Sequence, residues 1–110
     1  MDTSRVLSFS VMGITKKDNG IGGFMEEEGE LFKVLGFLDL LSGDETNTNN
    51  AFIQESSHIL ITDFREDINT KYWIVDSKNN KYDITLVDDP VSMHDHLEIY
   101  LKFIGEYNVQ

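Results

Sequence analysis

From His58 onward the apolar residues of this chain fall at every second position, and that alternation restricts the fold more than any other feature. In the last such run Leu97, Ile99, Leu101 and Phe103 alternate with Glu98, Tyr100 and Lys102. Period two sends successive side chains to opposite faces of a strand, whereas a helix face needs apolar residues three and four apart. Two further runs, Lys71–Asp76 and Lys81–Val87, are rich in aromatic and β-branched residues and flank the turn formers Ser77–Asn80. That arrangement predicts a hairpin. His58–Asp63 predicts another strand. Asp88, Asp89 and Pro90 then break the sheet, because proline cannot donate to a ladder.

The first half is less regular. Leu7, Phe9 and Val11 face away from Ser8 and Ser10, so Val6–Met12 predicts a half-buried strand. Gly13–Gly23 holds four glycines and the turn dipeptide Asn19–Gly20, and is expected to be a mobile hairpin or loop. Between Glu30 and Leu41 a helical spacing of leucines competes with a bent strand. Gly36 would weaken a helix there by about 1 kcal/mol relative to alanine, while in a strand it suits a bulge or bend. The strand is preferred. Ser42–Asn50 is polar and turn-rich, and Ala51–Ser57 has room for one turn of helix.

With 110 residues there is material for one domain, able to hide about two-thirds of its unfolded surface. The expectation is a single all-β domain over 1–110. It is a small β-barrel, or a sandwich, of five to six antiparallel strands with long loops and at most one short helix. No cysteine is present, which removes disulfides and thiolate metal sites and suits a reducing cytoplasm. The apolar run from Val34 to Leu38 is too short to cross a bilayer, and Met1–Arg5 lacks the start of a secretory signal. No membrane partner is expected.

Charge narrows the choice of partners. Twenty acidic residues against nine basic ones give a net −11, a surface that repels phosphate backbones and argues against sequence-specific DNA binding. Solubility is the ordinary use of such a charge; a wall past which DNA slides without sticking is the sharper one. A single-strand stacking platform at Tyr72 and Trp73 would need basic surroundings, against which the net −11 argues, so core packing is expected of Trp73.

Catalytic motifs are missing. Gly20–Gly23 lacks the lysine and the following helix of a phosphate loop, and Glu26–Glu28 and Asp88–Asp89 read as solvated charge runs. His94 and His96 carry the one pattern with metal-site chemistry. On a strand, residues two apart share a face, and a third ligand could come from His58 or Asp89. The plainer reading makes both histidines polar residues of the turn entering the last strand. The expectation is no metal, no cofactor and no enzyme activity.

Several segments, in order, resemble a known family. Gly36–Glu45 is a strand ending in Leu41, Ser42 and Gly43 before a polar loop; Glu55–Phe64 and Tyr72–Ile84 follow. Val87–Gly105, the most distinctive block, closes the set. Together they are similar to the head-closure, or head–tail joining (stopper, connector), proteins of long-tailed bacteriophages, in the version found in phages of low-GC Gram-positive bacteria. The likeness spans roughly residues 30–105.

That resemblance implies a small β-barrel, monomeric or weakly oligomeric alone. In the virion it would form a homo-oligomeric, dodecameric ring at the head–tail interface, after assembly in the host bacterial cytoplasm. Its partners would be the portal–adaptor complex above and the tail-completion protein below. By position Ser42, Gly43, Asp44, Glu45, Thr46, Asn47, Thr48, Asn49 and Asn50 would form the channel or stopper loop, touching phage DNA without sequence specificity. Another connector part, an adaptor or tail-completion protein, is the nearest alternative. A small metal-binding β-domain around His94 and His96 is the more distant one.

Overall fold

The computed structural model describes residues 6–41 and 51–107. Six strands, β1 (Leu7–Asp18), β2 (Phe24–Leu40), β3 (His58–Asp63), β4 (Trp73–Val75), β5 (Asn80–Asp88) and β6 (His96–Glu106), form one antiparallel sheet. The sheet closes into a barrel in the order β1-β2-β3-β6-β5-β4. A turn of helix, α1 (Ala51–Gln54), precedes β3. The expected all-β barrel is the architecture found.

Alternation explains why the sheet closes. Phe9 and Val11 on β1, Val34 on β2, Leu60 on β3, and Leu97, Ile99 and Leu101 on β6 are all buried. With Ile74, Tyr82 and Ile84 they fill the interior as one cluster. Burying each such side chain stabilises the fold by roughly 1.5–3 kcal/mol. Ile68, from the loop before β4, joins this core. A satellite cluster on the outside combines Met12, Val75, Tyr107 and the half-buried Trp73. Trp73 therefore packs apolar neighbours as expected, but outside the main core, where the Lys81 ammonium also lies 5.0 Å from its ring centre.

Three local expectations are sharpened or corrected. Of the hairpin or loop expected over Gly13–Gly23, the structure has the hairpin: β1 runs on to Asp18, the chain turns over Asn19–Gly23, and β2 returns from Phe24. Asn19 sets that turn, its Oδ1 accepting from the N–H groups of Ile21 (3.0 Å) and Gly23 (3.1 Å). Gly36 marks no bulge. The register shift lies at Leu31, which is skipped between the pairs Val11–Phe32 and Met12–Glu30. Gly36 instead permits close packing, since a Cβ there would stand 2.4 Å from the Ile61 carbonyl oxygen. Finally, the expected strand at Lys71–Asp76 contracts to the three residues of β4.

Gly36 is also where β2 changes partners. Before it, β2 pairs with β1; from it onward, β2 pairs with β3. β4 pairs with β1 only over Ser10–Met12. The stretch Gly13–Glu30 thus projects from the barrel as a two-stranded arm, and the molecule is elongated, 53 × 28 × 25 Å.

Candidate assembly surfaces

In an antiparallel barrel successive connections alternate between the two ends. One end carries the β2–β3 connection, the β4–β5 turn and the end of β6. The other carries the arm, the β3–β4 loop and the β5–β6 loop.

The expected stopper loop, Ser42–Asn50, lies outside the described residues; the residues that flank it are at the first end. Its two stalks are firmly tied. The Leu41 N–H donates to the Ser57 carbonyl at 3.0 Å, and the Ser57 N–H donates to the Leu101 carbonyl at 2.8 Å. Behind α1 the hydroxyls of Ser56 and Thr85 meet at 2.6 Å.

Beside the stalks lies a polar and aromatic group. The His58 ring stands edge-on to Tyr82, centroids 5.2 Å apart, and leans on Phe103; its Nδ1 is 2.8 Å from the Ser57 hydroxyl. Burial lowers the His58 pKa, against the opposing pull of Asp39 and Asp76. Asp76 organises the β4–β5 turn, accepting from the Lys78 and Asn80 N–H groups (both 2.9 Å) and from the Tyr82 hydroxyl (2.9 Å). Burial alone would push the Asp76 carboxyl up, but these hydrogen bonds outweigh it and hold the group below its ordinary value. The Tyr82 phenol is pushed up to about 12 by burial and by the same carboxylate. Asn79, with φ of 66°, completes the turn and donates from Nδ2 to the Tyr107 carbonyl at 2.8 Å.

At the opposite end, His94 and His96 do not converge. His94 lies before β6 with φ of 58°, a left-handed conformation that destroys the alternation assumed for a shared face. Its N–H donates to Asp89 Oδ1 at 3.0 Å, its Nδ1 lies 2.5 Å from Asp89 Oδ2, and its ring packs on Phe64. His96, on β6, instead meets Glu98 at 3.2 Å. His58 pairs with β6 at Leu101, well along the strand from His96. Among the described residues no three histidines or carboxylates are grouped to hold a metal. His94 occupies the turn entering the last strand, clasped by Asp89, and His96 is the first residue of that strand.

That clasp closes a strained loop. Val91 (φ 49°) and Ser92 (φ 55°) also adopt left-handed backbone, which is unfavourable for a β-branched residue. Val91 is 87% exposed, and Met93 is exposed beside it. The arm displays more apolar surface at this end: Ile14, Ile21, Phe24 and Met25 are all at least half exposed. The sequence suggests an arm over Ile14–Met25 that meets neighbouring subunits; its exposed apolar residues are the ones scattered there among glycines and charges.

Two open hollows lie on the barrel wall. One, about 520 Å³, is bordered by Glu55, Asp83 and Lys102. The other, about 550 Å³, runs along Val6, Leu35, Phe37, Ile61 and His96. In the second the Thr62 hydroxyl is committed to the Leu35 carbonyl at 2.8 Å.

No family model matches the chain, and no curated protein matches it. Among solved structures, the solution structure of protein SF1141 from Shigella flexneri 2a is similar, with a TM-score of 0.71 at 16% identity. The likeness covers 94% of this chain and 96% of that one. At such identity it speaks for the fold alone.

Proposed function

We propose that this protein is a virion structural subunit that completes the head of a long-tailed bacteriophage. In this reading it forms a ring below the portal–adaptor complex, closes the DNA-filled head and offers the surface on which the tail-completion protein docks. The observation that carries the reading is the division of the molecule into a closed barrel and a projecting arm with apolar residues facing solvent. Exposed apolar surface of that kind suits contact with other subunits.

Three further features support it. The ordered likeness of Gly36–Gly105 to head-closure proteins predicts a small barrel, and the chain folds as one. An acidic surface lets DNA pass, because few cationic groups are available to hold phosphates. The residues that flank Ser42–Asn50 are tied into the barrel by the Leu41–Ser57 and Ser57–Leu101 hydrogen bonds, so the barrel does not depend on the loop sequence between them. Strands throughout fit the adaptor alternative poorly, since adaptors are largely helical. The separate partners of His94 and His96 give the metal-binding alternative no support.

Deleting Asp44–Asn50 tests the role. The variant is expected to fold and join the connector while filled heads lose their DNA. Normal retention of packaged DNA would contradict the gate.

A further inference from the structure

The arm has two open edges among the described residues. β1 from Gly13 to Asp18 pairs with β2 alone, because pairing with β4 stops at Met12. β2 from Phe24 to Glu30 pairs with β1 alone, because pairing with β3 starts at Gly36. Open edges are templates for another strand. Here the charges are sorted between them: Lys16 and Lys17 stand on β1, and Glu26, Glu27 and Glu28 on β2. The other charge on β1, Asp18, accepts from the Gly20 N–H at 2.8 Å and belongs to the turn.

This sorting discriminates among pairings. Two β2 edges brought together would set glutamates against glutamates, and two β1 edges would set lysines against lysines, both unfavourable. A β1 edge beside the β2 edge of another copy sets lysine beside glutamate. The same chemistry already operates inside the arm, where Lys16 opposes Glu26 and Lys17 Nζ lies 4.0 Å from Glu27 Oε1.

We infer that the β1 edge of each arm adds to the β2 edge of the arm on a neighbouring copy, so that the arms of a ring form one continuous antiparallel collar. This rests on the ring proposed above and names the contact that builds it. A rotation about an axis parallel to the arm places β1 of one copy alongside β2 of the next with the strands antiparallel, so cyclic symmetry satisfies the ladder without further adjustment. The contact is heterologous, with different surfaces on the two copies, the type that closes into a ring when the rotation between copies divides a full turn. Pairing the edges also sets the side chains of Ile14, Phe24 and Met25 beside those of the neighbouring copy.

The absence of cysteine makes a direct test possible. Protein carrying Thr15→Cys is mixed with protein carrying Glu27→Cys and oxidised at high concentration, and the dimers are separated by mass. The collar predicts that mixed β1–β2 dimers exceed each self-linked dimer several-fold beyond the statistical ratio. It also predicts that a Glu106→Cys surface control links weakly. Dominant self-linking of Glu27→Cys, or mixed dimers no more abundant than those of the control, would overturn it. A charge swap checks the same point: Lys16→Glu/Lys17→Glu and Glu26→Lys/Glu28→Lys should each lose the mixed cross-link, and a chain carrying both sets, which restores opposite charges within and between arms, should regain it. If cross-linking fails while the Asp44–Asn50 deletion still leaks DNA, the collar falls and the head-completion role stands; the reverse pattern separates them the other way.

Discussion

The barrel and the arm are built from the same two strands yet obey different rules. Where β1 and β2 belong to the barrel, Phe9, Val11 and Val34 are buried and neighbouring strands extend the ladder. Where they form the arm, one seam of hydrogen bonds joins them, and Ile14, Phe24 and Met25 face water. An isolated two-stranded ribbon is marginally stable at best. The barrel therefore supplies folding stability, while the arm is surface held ready for contact. Core substitutions should disturb folding, and arm substitutions should disturb assembly.

That contrast can be broken most strongly in the interior. Leu60→Ala or Ile99→Ala, at fully buried positions, should lower unfolding free energy by about 2–5 kcal/mol in urea titrations. A loss below 1 kcal/mol would mean that the barrel is not the cooperative unit.

Asp76→Asn is next. It removes a carboxylate that accepts from two backbone N–H groups and from the Tyr82 hydroxyl, and should cost about 1.5–3 kcal/mol. The pH dependence has a definite sign. The folded pKa of Asp76 is depressed, so its contribution is present above the ordinary carboxylate range and is lost as pH falls through the folded value. The folded pKa of His58 is also depressed, so the unfolded chain binds that proton more readily and stability falls as pH drops below about 6.5. Wild type should weaken in two acid steps, and Asp76→Asn should flatten the lower one. Chemical denaturation across pH checks this.

A smaller effect of opposite sign belongs to the β5–β6 loop. Val91→Gly relieves left-handed backbone at a β-branched residue and should raise stability by about 1 kcal/mol in thermal melts. The smallest effect lies at the arm tip. Ile21→Ser, at a residue 88% exposed, should leave unfolding free energy within about 0.5 kcal/mol of wild type.

The barrel was legible in the sequence wherever one face of a strand is buried. β3 begins and ends at the expected residues, and Leu97, Ile99 and Leu101 point inward as their alternation required. The extent of the strands in the arm was not legible because neither of its faces is buried, so Thr15, Lys16, Lys17 and Glu26–Glu28 carry no period-two signal. Phe103 keeps the alternation, pairing with Tyr82 and packing on the Tyr82 and His58 rings, yet it is nearly half exposed because it lies near the end of the barrel. The histidine pair misled for a local reason: positive φ at His94 cannot be read from residue spacing. Gly36 was noticed, but its reason is tertiary, the approach of the Ile61 carbonyl from β3.

Amide hydrogen exchange, residue by residue, in the free protein and in the assembled connector, compares the two regions most directly. Slow exchange in β3 and β6 in both states, with Ile14–Lys17 and Met25–Glu28 exchanging fast when free and slowly when assembled, is the expected result. Protection of the arm equal to that of the barrel in the free monomer, or an arm that still exchanges fast inside the connector, would contradict a folding body that carries a separate assembly limb.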